Sequence, residues 1–381
     1  MRAKAIVVVS LLATAWAGWL CAGCQKDGIP RQGNVAATAN DNDETVVVSE
    51  RTMAERIAAL RTAMDEQDAG TAYGAVAELV ATTPSAPEAQ EAALDYMRKV
   101  GEDGDLRCML HLRFAKRLAG FREGFAEKVV AQLRSTRAGD GCMELFWLLT
   151  LVNMQERATA ATPALEVMAA DPVHSEGRMR VALILLGQRA EEDTRWLAER
   201  IRRRSKAGLD ALVMASLTGL GPASRNETVL AALRELVGDD TETPEYRHES
   251  ARLSAAVVLA LSGCTDADTV NAVRRIGRDS DDGESLLCDY ALSMMDHPGR
   301  REHLRDMLSK LAGGSHTEYA AMLCIVFSMS DVSKGLIVSL QADRDSLVSE
   351  GARDFVGILW PETLRSAGRA NSEDDDEDNS P

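Results

Sequence analysis

The pattern of apolar and polar residues from Thr52 onward predicts helices of 12 to 17 residues, separated by breaks of two to five residues. Apolar residues recur at helical spacing, and glycine, proline or aspartate interrupts the pattern at each break. Alternating runs bounded by hairpin turns, which would indicate strands, are nearly absent. The sequence therefore predicts an all-α fold.

Two kinds of predicted helix alternate along the chain. The segment Pro298–Ala312 is apolar on one side only. Its apolar positions follow the i, i+3, i+4, i+7 rule: Leu304, Met307, Leu308 and Leu311. The next segment, residues 315–329, is apolar nearly all round and needs cover on most sides. The segments 253–263 and 265–276 show the same contrast, and Thr265 and Asp268 are spaced like a capping box.

The breaks between predicted helices recur at intervals of 31 to 44 residues. The matching positions are Gly187, Gly219, Gly263, Met294 and Met329. In the N-terminal third, predicted helix starts recur every 34 to 35 residues, near Thr52, Ala86, Phe121 and Glu156. Such periods are typical of helix pairs stacked as a solenoid.

On these features, residues 52–364 resemble the HEAT and armadillo-type repeat proteins, most clearly from His174 to Ser339. The resemblance implies an α-α superhelix of roughly 16 to 18 helices with an extended binding surface, and it names no ligand. The N-terminal third is also similar to tetratricopeptide repeats. We predict one repeat domain over residues 52–365.

The first residues have the order of a secretory signal. Arg2 and Lys4 precede an uncharged run of sixteen residues that ends at Leu20. A helix of that length spans roughly 24 Å, which is less than the roughly 30 Å of a bilayer core. Cleavage is therefore favoured over an uncleaved anchor, which stays an alternative because the uncharged run can extend to Gln25.

The segment CAGC, residues 21–24, resembles the lipobox of bacterial lipoproteins, although Cys21 stands where leucine is usual. The resemblance implies that the signal peptide 1–23 is removed and that Cys24 carries lipid, including an amide-linked chain such as palmitate. Several acyl chains give stable anchoring. The body would then face the periplasm of a bacterial envelope, and Gln25 favours the outer membrane over the inner. Ordinary secretion is the remaining alternative.

Polar segments flank the predicted repeats. We expect residues 24–51 to form a flexible lipidated tether and residues 366–381 a disordered acidic tail. The formal net charge is -16, and removal of Arg2 and Lys4 makes the mature chain more acidic still. This balance argues against binding to nucleic acid.

The predicted mature chain keeps an odd number of cysteines beyond Cys24: Cys108, Cys142, Cys264, Cys288 and Cys324. Cys108 and Cys142 occupy matching places in successive predicted units, where Cα atoms about 8 to 10 Å apart exceed the range of a disulfide. We expect most of the five to be small buried apolar residues. A bridge from Cys264 to Cys288 is the least implausible one.

The sequence contains no recognised catalytic arrangement. A glycine-rich phosphate loop is absent, and His248 lacks the second histidine of a zinc-protease helix. No serine lies in a Gly-x-Ser-x-Gly turn. Four side chains could form a metal site only if the fold brings them together: His297, His303, His316 and Cys288. For the three histidines, solvated positions in loops and at the surface are favoured instead. We therefore predict no catalytic residues, cofactor, metal or small-molecule ligand.

The sharpest local feature is the sequence ERIRRRSK, residues 199–206, which we call the basic segment. It holds five cations in an acidic protein: Arg200, Arg202, Arg203, Arg204 and Lys206. They could receive an acidic partner or a phosphate. The favoured alternative is that they complement the dipole at the end of a helix.

Together these features predict an exported, membrane-anchored scaffold or adaptor that binds other proteins at the cell envelope and is not an enzyme. Two further hypotheses stay open. One is an enzyme or enzyme-maturation factor, because HEAT-like repeats also occur in the bilin lyase family. The other is a binder of envelope glycan or lipid, for which Trp147, Trp196 and Trp360 would be the stacking platforms.

Overall fold

A computed structural model describes residues 51–66, 69–102, 114–137, 140–187, 190–239, 248–279, 282–296, 298–313 and 334–359. These ranges contain sixteen α-helices and no strand, which confirms the predicted all-α class. The helices are α1 (Met53–Asp65), α2 (Ala69–Thr82), α3 (Pro87–Glu102), α4 (Phe125–Ser135), α5 (Gly141–Met154), α6 (Thr162–Ala169), α7 (Glu176–Leu185), α8 (Ala190–Arg202), α9 (Lys206–Thr218), α10 (Glu227–Gly238), α11 (His248–Leu261), α12 (Ala267–Asp279), α13 (Asp282–Met295), α14 (Arg300–Gly313), α15 (Lys334–Leu340) and α16 (Ser346–Leu359).

The chain divides into two compact units, Met1–Ser262 and Gly263–Pro381. Helices α1 to α11 belong to the first unit, and helices α12 to α16 belong to the second. The predicted signal peptide, tether and acidic tail, with Cys24, lie outside the described residues. Among the helices that are described, none is long and apolar enough to cross a membrane.

Helices of the first unit pack in the order of the sequence. Each of α5, α7 and α9 contacts the helix two places further on, so that α5, α7, α9 and α11 form a row. Helices α8 and α10 contact each other beside that row. Contacts of α8 with α7 and α9, and of α10 with α11, join the two rows. This two-row packing is the arrangement of an α-solenoid.

The two rows differ in how much of each helix is buried. In α5 the run from Met143 to Leu151 is buried without interruption, so this helix is covered on most sides. Helix α10 instead buries a stripe that includes Val229, Leu233 and Leu236 and exposes its polar face. The predicted alternation of buried and half-exposed helices is therefore confirmed in this unit.

In the second unit, α14 is the central helix, with contacts to α13, α15 and α16. Its stripe agrees with the predicted one, since Leu304, Met307 and Leu308 are fully buried and Leu311 is half-buried. The predicted apolar helix over residues 315–329 lies outside the described residues.

Three glycines fix the register of the repeats. Gly187, Gly219 and Gly263 follow the ends of α7, α9 and α11 with φ angles of 77°, 70° and 74°. Residues other than glycine rarely adopt this left-handed conformation, so glycine ends the helix at each of these positions. These are three of the positions that the sequence comparison aligned.

Two predicted helix starts are wrong in detail. Helix α12 is capped by Asp266, whose Oδ1 accepts from the Thr269 N–H at 2.9 Å, and the predicted capping box of Thr265 and Asp268 is not formed. The helix predicted near Glu156 begins as a 3-10 helix, Gln155–Ala161, before α6. Both differences lie at helix ends, where a shift of a residue or two and a turn of 3-10 helix are common.

The cysteines also differ from expectation. Cys142 forms a disulfide, and its partner lies outside the described residues. Cys264 and Cys288 are buried and are not bridged, so the disulfide considered between them is not formed. The spacing prediction for Cys108 and Cys142 stays untested, because Cys108 lies outside the described residues.

Close approach of neighbouring helices depends on glycine at a few positions. A Cβ at Gly177 on α7 would lie under 3.0 Å from backbone atoms of Ala207 and Ala211 on α9. A Cβ at Gly208 would meet the backbone of Arg200 equally closely. Backbone atoms cannot move aside as a flexible side chain can, so these glycines let the helices pack as they do.

We expect Gly177→Ala to destabilise the first unit by about 1 to 3 kcal/mol, because the added methyl group forces α7 and α9 apart. The matched control is Gly74→Ala on α2, where an added Cβ has no neighbour within 4 Å. That change should stabilise the protein by about 0.5 to 1 kcal/mol through helix propensity. Urea denaturation followed by circular dichroism measures both. Equal effects of the two substitutions would contradict the close packing of α7 on α9.

Candidate functional site

The basic segment spans the turn between α8 and α9. Helix α8 ends at Arg202, and Arg204 adopts a positive φ of 52°. The Ser205 N–H donates to the Arg200 carbonyl at 3.2 Å, and the Arg204 N–H donates to the Ile201 carbonyl at 3.0 Å. This pair of bonds is a Schellman motif. The Ser205 hydroxyl then accepts from the Gly208 N–H and caps α9.

Four of the five cations in the basic segment pair with carboxylates of the same chain. The pairs are Arg202 with Glu235, Arg203 with Glu199, Arg204 with Asp239, and Lys206 with Asp210. The nitrogen–oxygen distance is 3.2 Å for Arg202 and 3.1 Å for Lys206. The Arg202 and Arg204 pairs join the end of α8 and the turn after it to α10 and the residue that follows α10. Most of their charge is therefore already balanced within the protein.

The fifth cation, Arg200, has a different environment. Its Cζ lies 5.5 Å from the centroid of the Trp196 ring, one turn earlier on α8. The Cζ of Arg180, on α7, lies 5.4 Å from the same ring. Arg180 is held there by Asp193, whose Oδ1 lies 2.5 Å from Arg180 Nη1. We call these four residues the Trp196 cluster: Trp196, Arg180, Arg200 and Asp193.

The Trp196 cluster also contains polar atoms without hydrogen-bond partners in the described part of the chain. The side chain of Asp193 is fully buried, yet only its Oδ1 is bonded, and Oδ2 has no partner. The Trp196 Nε1–H and the Arg180 Nε–H are likewise buried and unpartnered. Buried polar atoms without partners are rare and often mark a place that water, an ion or a ligand completes.

Sequence reasoning identified Arg200 but missed its surroundings. Asp193, Trp196 and Arg200 follow each other at i, i+3 and i+7 on α8, so their shared helix face was legible in the sequence. The contribution of Arg180 could not be predicted from the sequence, because Arg180 lies on α7 and reaches Trp196 only through the packing of α7 against α8.

A second polar network lies beside the basic segment and joins α5 to α7. Glu144 is buried and accepts from the Ser175 N–H at 3.1 Å, and it lies 3.3 Å from both His174 Nδ1 and Arg178 Nη1. The Ser175 hydroxyl caps α7 and bonds Asp210 at 3.0 Å. Every one of these contacts is internal, so the network fastens adjacent helices of the row. No pattern in the sequence indicated this network.

The second unit has its own charged cluster. Asp296 accepts from Arg274 at 2.5 Å and lies 3.2 Å from His303 Nε2. Partial burial works to raise the pKa of Asp296, but the His303 bond and the Arg274 charge outweigh it, and the pKa falls below its ordinary value. Burial raises the pKa of Asp289 in spite of its 2.6 Å bond from Lys310. These side chains join α12, α13 and α14.

The structure describes two of the four candidate metal ligands, His303 and Cys288, and it does not bring them together. His303 is engaged with Asp296, and Cys288 is buried against Gly277. His297 and His316 lie outside the described residues. No group of three or more potential metal ligands occurs within the described ranges.

Comparisons of the chain with protein-family models, with curated proteins and with solved structures find no match.

We expect the triple substitution of Arg202, Arg203 and Arg204 by glutamine to lower the free energy of unfolding by about 0.5 to 1.5 kcal/mol at low salt. The reason is that three ion pairs are lost, each largely exposed or half-exposed and therefore weak. The loss should be smaller in about 0.5 M salt, because dissolved ions screen exposed ion pairs. Urea denaturation at both salt concentrations measures it. Unchanged stability at both concentrations, together with weaker capture of an envelope protein, would show that these cations serve binding.

Proposed function

We propose that this chain is a lipid-anchored helical-repeat scaffold of the bacterial cell envelope, which binds other proteins on the periplasmic side. The observation that carries the proposal is the packing of helices in two rows, with α5, α7, α9 and α11 in one row and α8 against α10 in the other. Such stacks present long surfaces that grow with the number of repeats. Scaffolds and adaptors commonly use surfaces of this kind.

The side chains of the first unit fit this role. The buried charges around Glu144 are occupied by internal bonds, so they serve packing between helices. Large apolar side chains at the surface are few among the described residues, namely Val167, Val173 and Leu347. Val167 and Val173 lie close together in sequence, on α6 and in the turn after it. Val167 therefore provides an exposed apolar position at which contact with another protein can be tested.

Anchoring rests on the N-terminal sequence. The charged start, the short apolar run and the segment CAGC support lipidation of Cys24 after export. The disulfide at Cys142 supports an oxidising compartment, because disulfides persist outside the cytosol. By the lipoprotein resemblance, Gln25 places the outer membrane ahead of the inner one. HEAT or armadillo-type repeats are the repeat class that we propose.

We expect Cys24→Ala to move the protein from the membrane fraction to the soluble fraction and to leave residues 1–23 attached. The Cys24 thiol is the attachment point of the diacylglyceryl group, so the variant has no lipid anchor, and the sixteen uncharged residues that stay attached are too short to span a bilayer core. Intact-mass measurement of the purified protein checks the cleavage and the added lipid. A native mass that retains residues 1–23, or that lacks lipid, contradicts the anchoring proposal.

Protein binding is tested in the same cells with a photo-crosslinking residue at Val167. A second variant carries the same residue at Glu302 on α14, which is an exposed position in the other unit. The proposal predicts a discrete protein adduct from Val167 in the membrane fraction of the wild type, lost or greatly reduced when Cys24 is replaced. A protein that reaches the membrane but forms no protein adduct from either position argues against a scaffold.

A further inference from the structure

We propose that the Trp196 cluster is a recognition site for a carboxylate side chain of a partner protein, with Arg200 as the group that binds it. This proposal rests on the proposed scaffold function and names the chemistry of the partner. It narrows the basic segment to Arg200, which has no acid within salt-bridge distance among the described residues.

The first step is the difference between Arg200 and the other cations of the segment. The remaining four each have a carboxylate within salt-bridge distance. Arg200 has none among the described residues, and its contact is the ring of Trp196. It is half-buried, so its guanidinium is partly removed from water and still accessible. An acid of a partner would therefore meet an uncompensated charge at Arg200 and balanced pairs elsewhere.

The second step is preorganisation. A guanidinium that lies over an aromatic face keeps its N–H donors at its edge, and it loses less rotamer freedom when it binds. That edge matches the two oxygens of a carboxylate, which can accept two parallel bonds. Arg180 contacts the same ring and is fixed by Asp193, so two guanidinium groups contact Trp196. The platform under Arg200 is therefore built before a ligand arrives.

The third step is the set of unpartnered atoms beneath this platform. Asp193 Oδ2, Trp196 Nε1 and Arg180 Nε are buried without hydrogen-bond partners in the described part of the chain. Trp196 Nε1 and Arg180 Nε are N–H donors, the kind of group that a carboxylate oxygen accepts from, whereas Asp193 Oδ2 is itself an acceptor and is not satisfied by a carboxylate. Arg180 has two acids within 4 Å, namely Asp193 and, 3.9 Å from Arg180 Nη2, Glu176. Its charge is therefore matched, and Arg200 is the cation that the ligand binds.

The experiment uses the full chain labelled with 5-fluorotryptophan, with the Trp196 resonance assigned by Trp196→Phe. Hexaglutamate is titrated at low salt and observed by fluorine NMR, with hexaglutamine as the uncharged control. We expect a saturable shift of the Trp196 resonance with hexaglutamate only. Because a charged bidentate contact is lost, Arg200→Gln should weaken binding about tenfold or more.

Two variants keep the result specific. Arg202→Gln removes a cation of the same segment that is already paired with Glu235, and it should change the affinity less than about threefold. Arg200→Lys retains the charge without the planar fork, and its affinity should fall between those of the wild type and Arg200→Gln. Circular dichroism confirms that each variant is folded.

The proposal is overturned if the Trp196 resonance does not respond to hexaglutamate, or if Arg200→Gln binds as the wild type does. It is also overturned if inorganic phosphate produces the shift and hexaglutamate does not, since the site then takes a phosphate. These results are independent of membrane anchoring and of crosslinking from Val167. Failure of this site is therefore distinguishable from failure of the scaffold proposal.

Discussion

The packing of each buried helix against the next but one is the constraint on which the rest of this structure depends. In the first unit α5, α7, α9 and α11 form such a row. Nearly all their faces are covered, which explains why α5 is apolar around most of its circumference. The half-exposed helices beside the row need only one apolar stripe each. The alternation in the sequence follows directly from this geometry.

Close packing in the row has consequences for polar residues too. Gly177 lets the backbone of α7 approach α9, which brings Ser175 to Asp210, and the packing of α7 on α5 brings Arg178 to Glu144. Charges buried between helices must be matched, because an unpaired one would cost several kcal/mol. The internal networks thus satisfy a requirement of the stack. Arg200 differs because the fold gives its charge no acid among the described residues.

Much of this fold could be predicted from the sequence, because its contacts are local. The helix-breaking residues in the sequence are enough to align Gly187, Gly219 and Gly263. Each of these glycines has the left-handed backbone conformation that favours glycine. Predictions failed where the outcome depended on packing between helices. The bridge considered between Cys264 and Cys288 is not formed, and at the start of α12 the cap is Asp266, one residue after the predicted Thr265. At the candidate site, three residues of α8 share a face that periodicity can show, whereas Arg180 arrives from another helix.

The central claim is that stability is local in a stack held by neighbour contacts, and hydrogen exchange measured by mass spectrometry on Leu308→Asp tests it most directly. Leu308 is fully buried on α14. A carboxylate at this position should lower the free energy of unfolding by roughly several kcal/mol, because it would be buried without a partner. The account predicts that amide protection falls in α13, α14 and α16 and persists in α5, α7 and α9. Uniform loss of protection along the chain, or no loss at all, would contradict it.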